Sequence, residues 1–79
     1  MRVLIADDHA ILRRGLKEIL VRELPGVVCG EAKDAAELLA RAQEAEWDLA
    51  ILDITMPGRS GLDVLRDLKA ARPKLPILV

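Results

Sequence analysis

The sequence predicts an α/β fold built on a parallel sheet. Three observations carry that expectation. Short apolar runs of strand length alternate with stretches whose apolar residues recur at helical spacing. The order reads β-α-β-α-β-α-β, with no internal repeat. Turn or cap residues stand at the junctions. The 79 residues, 52% hydrophobic and 32% charged, allow one small globular domain.

Arg2 to Ala6 (RVLIA) is an apolar run with the length of a strand buried on both faces, closed by Asp7 and Asp8. From Ala10 onward Ile11, Leu12, Leu16, Ile19, Leu20 and Leu24 recur at three- and four-residue steps. Arg13, Arg14, Lys17 and Glu18 fall between them, so the segment reads as an amphipathic helix, stopped by Pro25-Gly26. Val27 to Gly30 is a second short strand. Asp34, followed three residues later by Glu37, caps a second helix that carries Leu38, Leu39 and Ala42 on one face and ends near Ala45. Leu49 to Leu52 is a third strand, closed by Asp53, and Ile54 to Ser60 is a loop containing Pro57 and Gly58. Ser60 with Asp63 forms another capping pair. Leu62, Leu65 and Leu68 line a third helix that stops before Pro73, and Leu75 to Val79 (LPILV) is a fourth strand.

Composition excludes several function classes. With 12 basic and 13 acidic residues the net charge is -1, against a dominant nucleic-acid-binding surface or a polybasic membrane anchor. No apolar run approaches the ~20 residues of a membrane span. The opening MRVLIADD lacks the long apolar stretch and cleavage site of a secretory signal, so a cytosolic protein is expected. The single cysteine, Cys29, makes neither an internal disulfide nor a multi-thiolate metal site. The single aromatic residue, Trp47, offers no stacking platform for single-stranded nucleic acid.

The acidic residues carry the functional signal. Asp7 and Asp8 follow strand one and Asp53 follows strand three. In a parallel sheet all carboxyl ends share one edge. Two strand orders fit the element order, a flavodoxin-like 2-1-3-4 and the alternative 3-2-1-4. The first is favoured because it makes strands one and three neighbours, ~4.8 Å apart, with the topological switch point between them. Three like charges there repel, which raises a pKa or requires a cation, and Mg²⁺ suits a half-open oxygen site that keeps waters. A single Asp at a strand end has a plain structural reading; a pair matched by a third across the switch point is less easily dismissed. A carboxylate beside Mg²⁺ can also act as the nucleophile in phosphoryl transfer. The loop after Asp53 suits that task, since Gly58 and Gly61 permit close backbone approach and Pro57 restricts the chain.

These residues match a family pattern. Asp7-Asp8, together with L-D-I-T-M-P-G-R-S-G from Leu52 to Gly61, resembles the CheY-like receiver domain of bacterial two-component response regulators, along the chain from Arg2 to Val79. The run DDHAILRRGL, Asp7 to Leu16, resembles the subfamily whose receivers precede a LuxR-type helix-turn-helix domain. The resemblance implies that Asp53 is the phosphoacceptor. It implies that Asp8 binds Mg²⁺ directly, that Asp7 does so directly or through water, and that the Thr55 backbone carbonyl completes the protein ligands. The implied donor is a phosphohistidine on a sensor histidine kinase, or a small phosphodonor such as acetyl phosphate. Such a receiver is no turnover enzyme, although it catalyses its own phosphorylation, and the full-length protein is expected to regulate transcription.

The pattern also sets what is missing. Receivers of this family have five strands and five helices, whereas the sequence stops after strand four, so residues 1–79 are read as a partial receiver without its DNA-binding domain. The family's switch Ser or Thr and its Lys at the end of strand five have no counterpart, and Lys69 and Lys74 are poorly placed substitutes. Helix one should then lie alone on its face of the sheet, and strand four should be an open apolar edge. Self-association through strand four or the uncovered sheet face is expected, with no nucleic-acid contact by this segment and no membrane partner.

Three other readings stay in view. An aspartate-nucleophile phosphatase of the haloacid dehalogenase type needs an Asp where Thr55 stands. A flavin-binding module needs a Ser/Thr-rich phosphate loop after strand one, which is not there. A structural, self-associating fragment would keep the acidic pocket without switching. Elsewhere the plain readings are preferred. His9 starts helix one beside the site, Cys29 is a small core residue, Trp47 packs, Met56 fills a loop, and Arg13, Arg14 and Lys17 lie on a solvated helix face.

Overall fold

The computed structural model describes residues 1–53, 56 and 60–79. The elements come in the order β1 (Arg2–Ala6), α1 (Ala10–Glu23), β2 (Val28–Ala32), α2 (Ala35–Glu44), β3 (Leu49–Leu52), α3 (Gly61–Ala71) and β4 (Ile77–Leu78). All strand pairs are parallel and the sheet order is β2-β1-β3-β4. The chain steps one way from β1 to β2, then reverses across β1 to β3 and β4. With one crossover hand, that reversal separates α1 from α2 and α3 onto opposite faces.

The two faces are unequally covered. Leu4 and Ala6 of β1, Ala32 of β2, and Ala50 and Leu52 of β3 form a buried cluster with Leu38 and Ala42 of α2 and Val64 and Leu68 of α3. Met56 and Leu75 close the same cluster, so Met56 is core and not loop filler. On the other face α1 packs against β1 and β2, covering Val3 and Ile5. None of its own residues is buried, and Ile11 is 89% exposed. Leu12, Ile19 and Val21 are exposed as well, as are Leu78 and Val79 at the sheet edge. Among the described residues, no helix is long and apolar enough to cross a membrane.

Local chemistry explains the element ends. The α1 helix closes with the Leu24 amide donating to the Leu20 carbonyl at 2.8 Å, and Gly26 takes the positive φ of 84° that turns the chain into β2. The Asp34 cap forms as expected, its carboxylate accepting from the Glu37 amide at 2.8 Å, while Glu37 reaches back to the Lys33 amide at 3.3 Å. The Ser60–Asp63 pair does not. Ser60 occupies the cap position without a side-chain bond. Asp63 lies in the first turn, where its charge suits the helix N-terminus.

Two strands differ from expectation. β2 runs to Ala32 and does not stop at Gly30, because its ladder with β1 continues in register from Arg2↔Val28 to Ala6↔Ala32. Gly30 is there to admit the Trp47 ring. A Cβ at that position would fall well inside contact with Cη2 and 3.1 Å from Cζ2 and Cζ3. β4 covers only Ile77–Leu78 and not Leu75 to Val79. Leu75 donates back to the Arg72 carbonyl at 3.1 Å in a turn, and Pro76 has no N–H, offering only its carbonyl to the Ala50 amide at 3.0 Å.

Gly30→Ala should therefore displace the indole and destabilise the fold by about 1–3 kcal/mol, the usual cost of overpacking. A urea midpoint equal to that of the wild type would show that the ring is not held against β2.

Candidate functional site

The register of β1 and β3 builds the site. Ala6 lies beside Leu52 in the parallel ladder, so the next residue of each strand, Asp7 and Asp53, emerges at the same edge. The ladder continues one step past the strands. The Asp53 amide donates to the Ala6 carbonyl at 2.9 Å, and the Asp7 amide donates to the Ala32 carbonyl at 3.0 Å. Asp8 comes next, in the turn that leads into α1. Asp7 is buried, 5% exposed, Asp53 is half-buried and Asp8 is exposed.

His9, the N-cap of α1, completes the group. Its Nδ1 lies 2.8 Å from Asp7 Oδ1, 3.1 Å from Asp8 Oδ1 and 3.9 Å from Asp53 Oδ2. The Asp7 carboxylate also accepts from the His9 backbone amide at 2.8 Å. A carboxylate only accepts, so the short Nδ1 contact places the proton on Nδ1. The Asp7 hydrogen bond, then the charges of Asp8 and Asp7, raise the His9 pKa above 6.5 against an opposing effect of desolvation, with the smallest push from Asp53.

The three carboxylates fit a hard cation, and His9, with its proton on Nδ1, is their neighbour and not a further oxygen donor. One ligand atom from each of Asp7, Asp8, His9 and Asp53 can be chosen so that all lie within 4.8 Å of one another. Ligands around one Mg²⁺ at about 2.1 Å stand roughly 3–4 Å apart, within reach of small side-chain rotations. The cluster opens into a cleft of about 310 Å³ whose walls include Ile5, Leu12, Leu16 and Ile51. Another groove of about 310 Å³, between Trp47 and Lys74, lies at the opposite end of the sheet. There Arg72 is engaged by the Ala42 and Ala45 carbonyls at the end of α2, at 2.9 and 3.4 Å. The carboxylate cluster lies at the other edge.

Thus Asp7, Asp8 and Asp53 come together as the sequence led one to expect. Thr55, with Pro57 and Gly58, falls outside the described residues. Arg13 is a correction. Its side chain is 16% exposed and not on a solvated face. Its Nη1 donates to the Asp7 carbonyl at 2.6 Å and its Nε to Glu31 Oε1 at 3.2 Å. The signal was present in the spacing. Helical side chains lean toward the N-terminus, so a residue one turn after His9 reaches back over the Asp7–Asp8 turn.

Residues 3–79 match the response regulator receiver domain. The chain belongs to that family. Receivers are signalling domains, and among similar proteins is the DNA-binding transcriptional activator DevR/DosR of Mycobacterium tuberculosis, 38% identical over 79 residues. That alignment covers 100% of this chain but 36% of DevR/DosR, so the chain spans about a third of that relative. The response regulator TrrA of Thermotoga maritima, solved in complex with Mg²⁺–BeF, is 37% identical with a TM-score of 0.86. The match covers 96% of this chain and 64% of TrrA. TrrA bound to the histidine kinase ThkA superposes equally well, with the same identity, coverage and TM-score.

In metal-free protein the His9 ring should titrate above 6.5, and Asp7→Asn should return it toward that value. A raised folded pKa means that protonation favours the folded state. The contribution is complete below 6.5 and disappears as pH rises through the folded value. A ring titration by NMR at or below 6.5 would contradict this geometry.

Proposed function

We propose that this chain is the phosphoacceptor receiver of a two-component response regulator, taking a phosphoryl group on Asp53 from a sensor histidine kinase. The observation that carries the reading is the convergence of Asp7, Asp8 and Asp53 at the adjoining ends of β1 and β3. In this reading Asp8 and Asp53 hold Mg²⁺ directly, Asp7 does so directly or through water, and the Thr55 backbone carbonyl adds a further oxygen. When bound, Mg²⁺ neutralises charge on the incoming phosphoryl oxygens. A carboxylate oxygen of Asp53 forms the new P–O bond as the P–N bond to the donor imidazole breaks. Asp7 is buried behind the site, and the partly exposed side chain of Asp53 is left to meet the donor.

The complexes of TrrA with Mg²⁺–BeF and with ThkA support this assignment by similarity. The likeness to DevR/DosR supports a full-length protein that regulates transcription. DNA contact would then belong to another part of it, in keeping with a net charge of -1 here. A second reading has its own observation. The exposed apolar residues of α1 and the short outer strand β4 favour self-association, through β4 or the sheet face carrying α1, in a chain that keeps the pocket without switching.

Incubation with Mg²⁺ and acetyl phosphate should add one phosphoryl mass to the intact chain. Asp53→Asn and chelation of Mg²⁺ should each abolish it. Light scattering on the same sample at tens of micromolar should give a mass above the monomer. Absence of modification in a stable oligomer would favour the second reading, and a monodisperse monomer would remove self-association.

A further inference from the structure

We infer that Arg13 is a positioning residue for the cation site, acting through the backbone of Asp7 and not through any carboxylate of the cluster. The inference rests on reading the acidic cluster as a metal site. Asp7 is held on three sides. Its amide donates to Ala32 of β2, its carboxylate accepts from the His9 amide, and its carbonyl accepts from Arg13 Nη1 at 2.6 Å. The third bond governs the placement of Asp8. The Asp7 carbonyl shares one rigid peptide plane with the amide and Cα of Asp8, so fixing that oxygen fixes the direction from which the Asp8 side chain departs.

Arg13 can do this because it is itself anchored. Its Nε donates to Glu31 at 3.2 Å, and Glu31 stands on β2, paired in register with Ile5 of β1. Lys17 approaches the same carboxylate at 3.9 Å. The guanidinium thus bridges α1, the Asp7–Asp8 turn and β2 with two donors in a fixed fork. A lysine, one compact ammonium on a flexible stem, cannot reproduce that arrangement. Without the bridge the Asp7 carbonyl is left short of a partner, and the peptide plane is free to rotate toward water, carrying Asp8 off the common point.

The sign of the effect separates positioning from charge. A cation beside a metal site repels Mg²⁺, so if charge alone mattered, removing Arg13 would tighten binding. Positioning demands the opposite. In the full chain, with Mg²⁺ titrated and followed by amide chemical shifts, Arg13→Ala and Arg13→Lys should each raise the dissociation constant about tenfold or more, the range typical of residues that orient metal ligands. Glu31→Gln should raise it less, in the same direction. Arg14→Ala, which removes an equal charge from the exposed neighbour, should leave it within twofold.

Tighter binding by Arg13→Ala, or an Arg13→Lys variant that binds as the wild type does, would overturn the inference. Equal losses in Arg14→Ala and Arg13→Ala would overturn it as well. A wild type whose amides do not shift with Mg²⁺ would overturn the metal reading itself, and the role of Arg13 with it.

Discussion

The parallel register of β1 against β3 is the constraint on which the rest depends. Ala6 opposite Leu52 is what puts Asp7 and Asp53 side by side, and the Asp53 amide bond to the Ala6 carbonyl extends that alignment into the loop. A slip of one full pleat would keep every side chain on its face but carry Asp53 about 6.6 Å along the sheet, out of reach of the others. The observed pairing seats Leu4, Ala6, Ala50 and Leu52 together in the buried cluster with residues of α2 and α3. Packing on that face thus accompanies the alignment of Asp7 and Asp53 at the edge.

The reversal of strand order adds the second condition. α1 leaves toward β2 on one face, while α2 and α3 build the other, so none of the described helices crosses above the junction of β1 and β3. The carboxylates gather in that gap. Charge is concentrated there by geometry, and the His9 proton is the local response among the described residues. Its imidazole caps no backbone amide of α1 but leans over the acids instead. The same division explains the unequal faces. The α2–α3 side is a closed core, whereas the α1 side shows Ile11, Leu12 and Ile19 to solvent beside the mouth of the site.

Much of this was legible in the chain because it depends on periodicity and on single residues with one strong preference. The alternation of apolar runs and helical spacing sets the element order, Pro25-Gly26 ends α1, and Asp34 with Glu37 starts α2. Asp7, Asp8 and Asp53 fall into place once strands one and three are neighbours. What was not legible depends on contacts between distant residues. Gly30 looks like a strand breaker until Trp47 is placed against it. Arg13 looks solvated until Glu31 and the Asp7 carbonyl are brought under it. Ser60 and Asp63 have the types of a capping pair, yet Ser60 makes no side-chain cap bond, and LPILV has the composition of a longer strand than Pro76 permits.

The most direct test of the shared acidic centre uses Mn²⁺ in place of Mg²⁺, since both take octahedral oxygen sites. Paramagnetic broadening of backbone amides would locate the ion in the intact chain. A single shared centre requires broadening centred on Asp7, Asp8 and Asp53, fading along β1 and β3 toward Arg2 and Leu49. Broadening centred instead on other acidic residues, such as Glu44 or Asp63, or spread evenly over the surface, would contradict it.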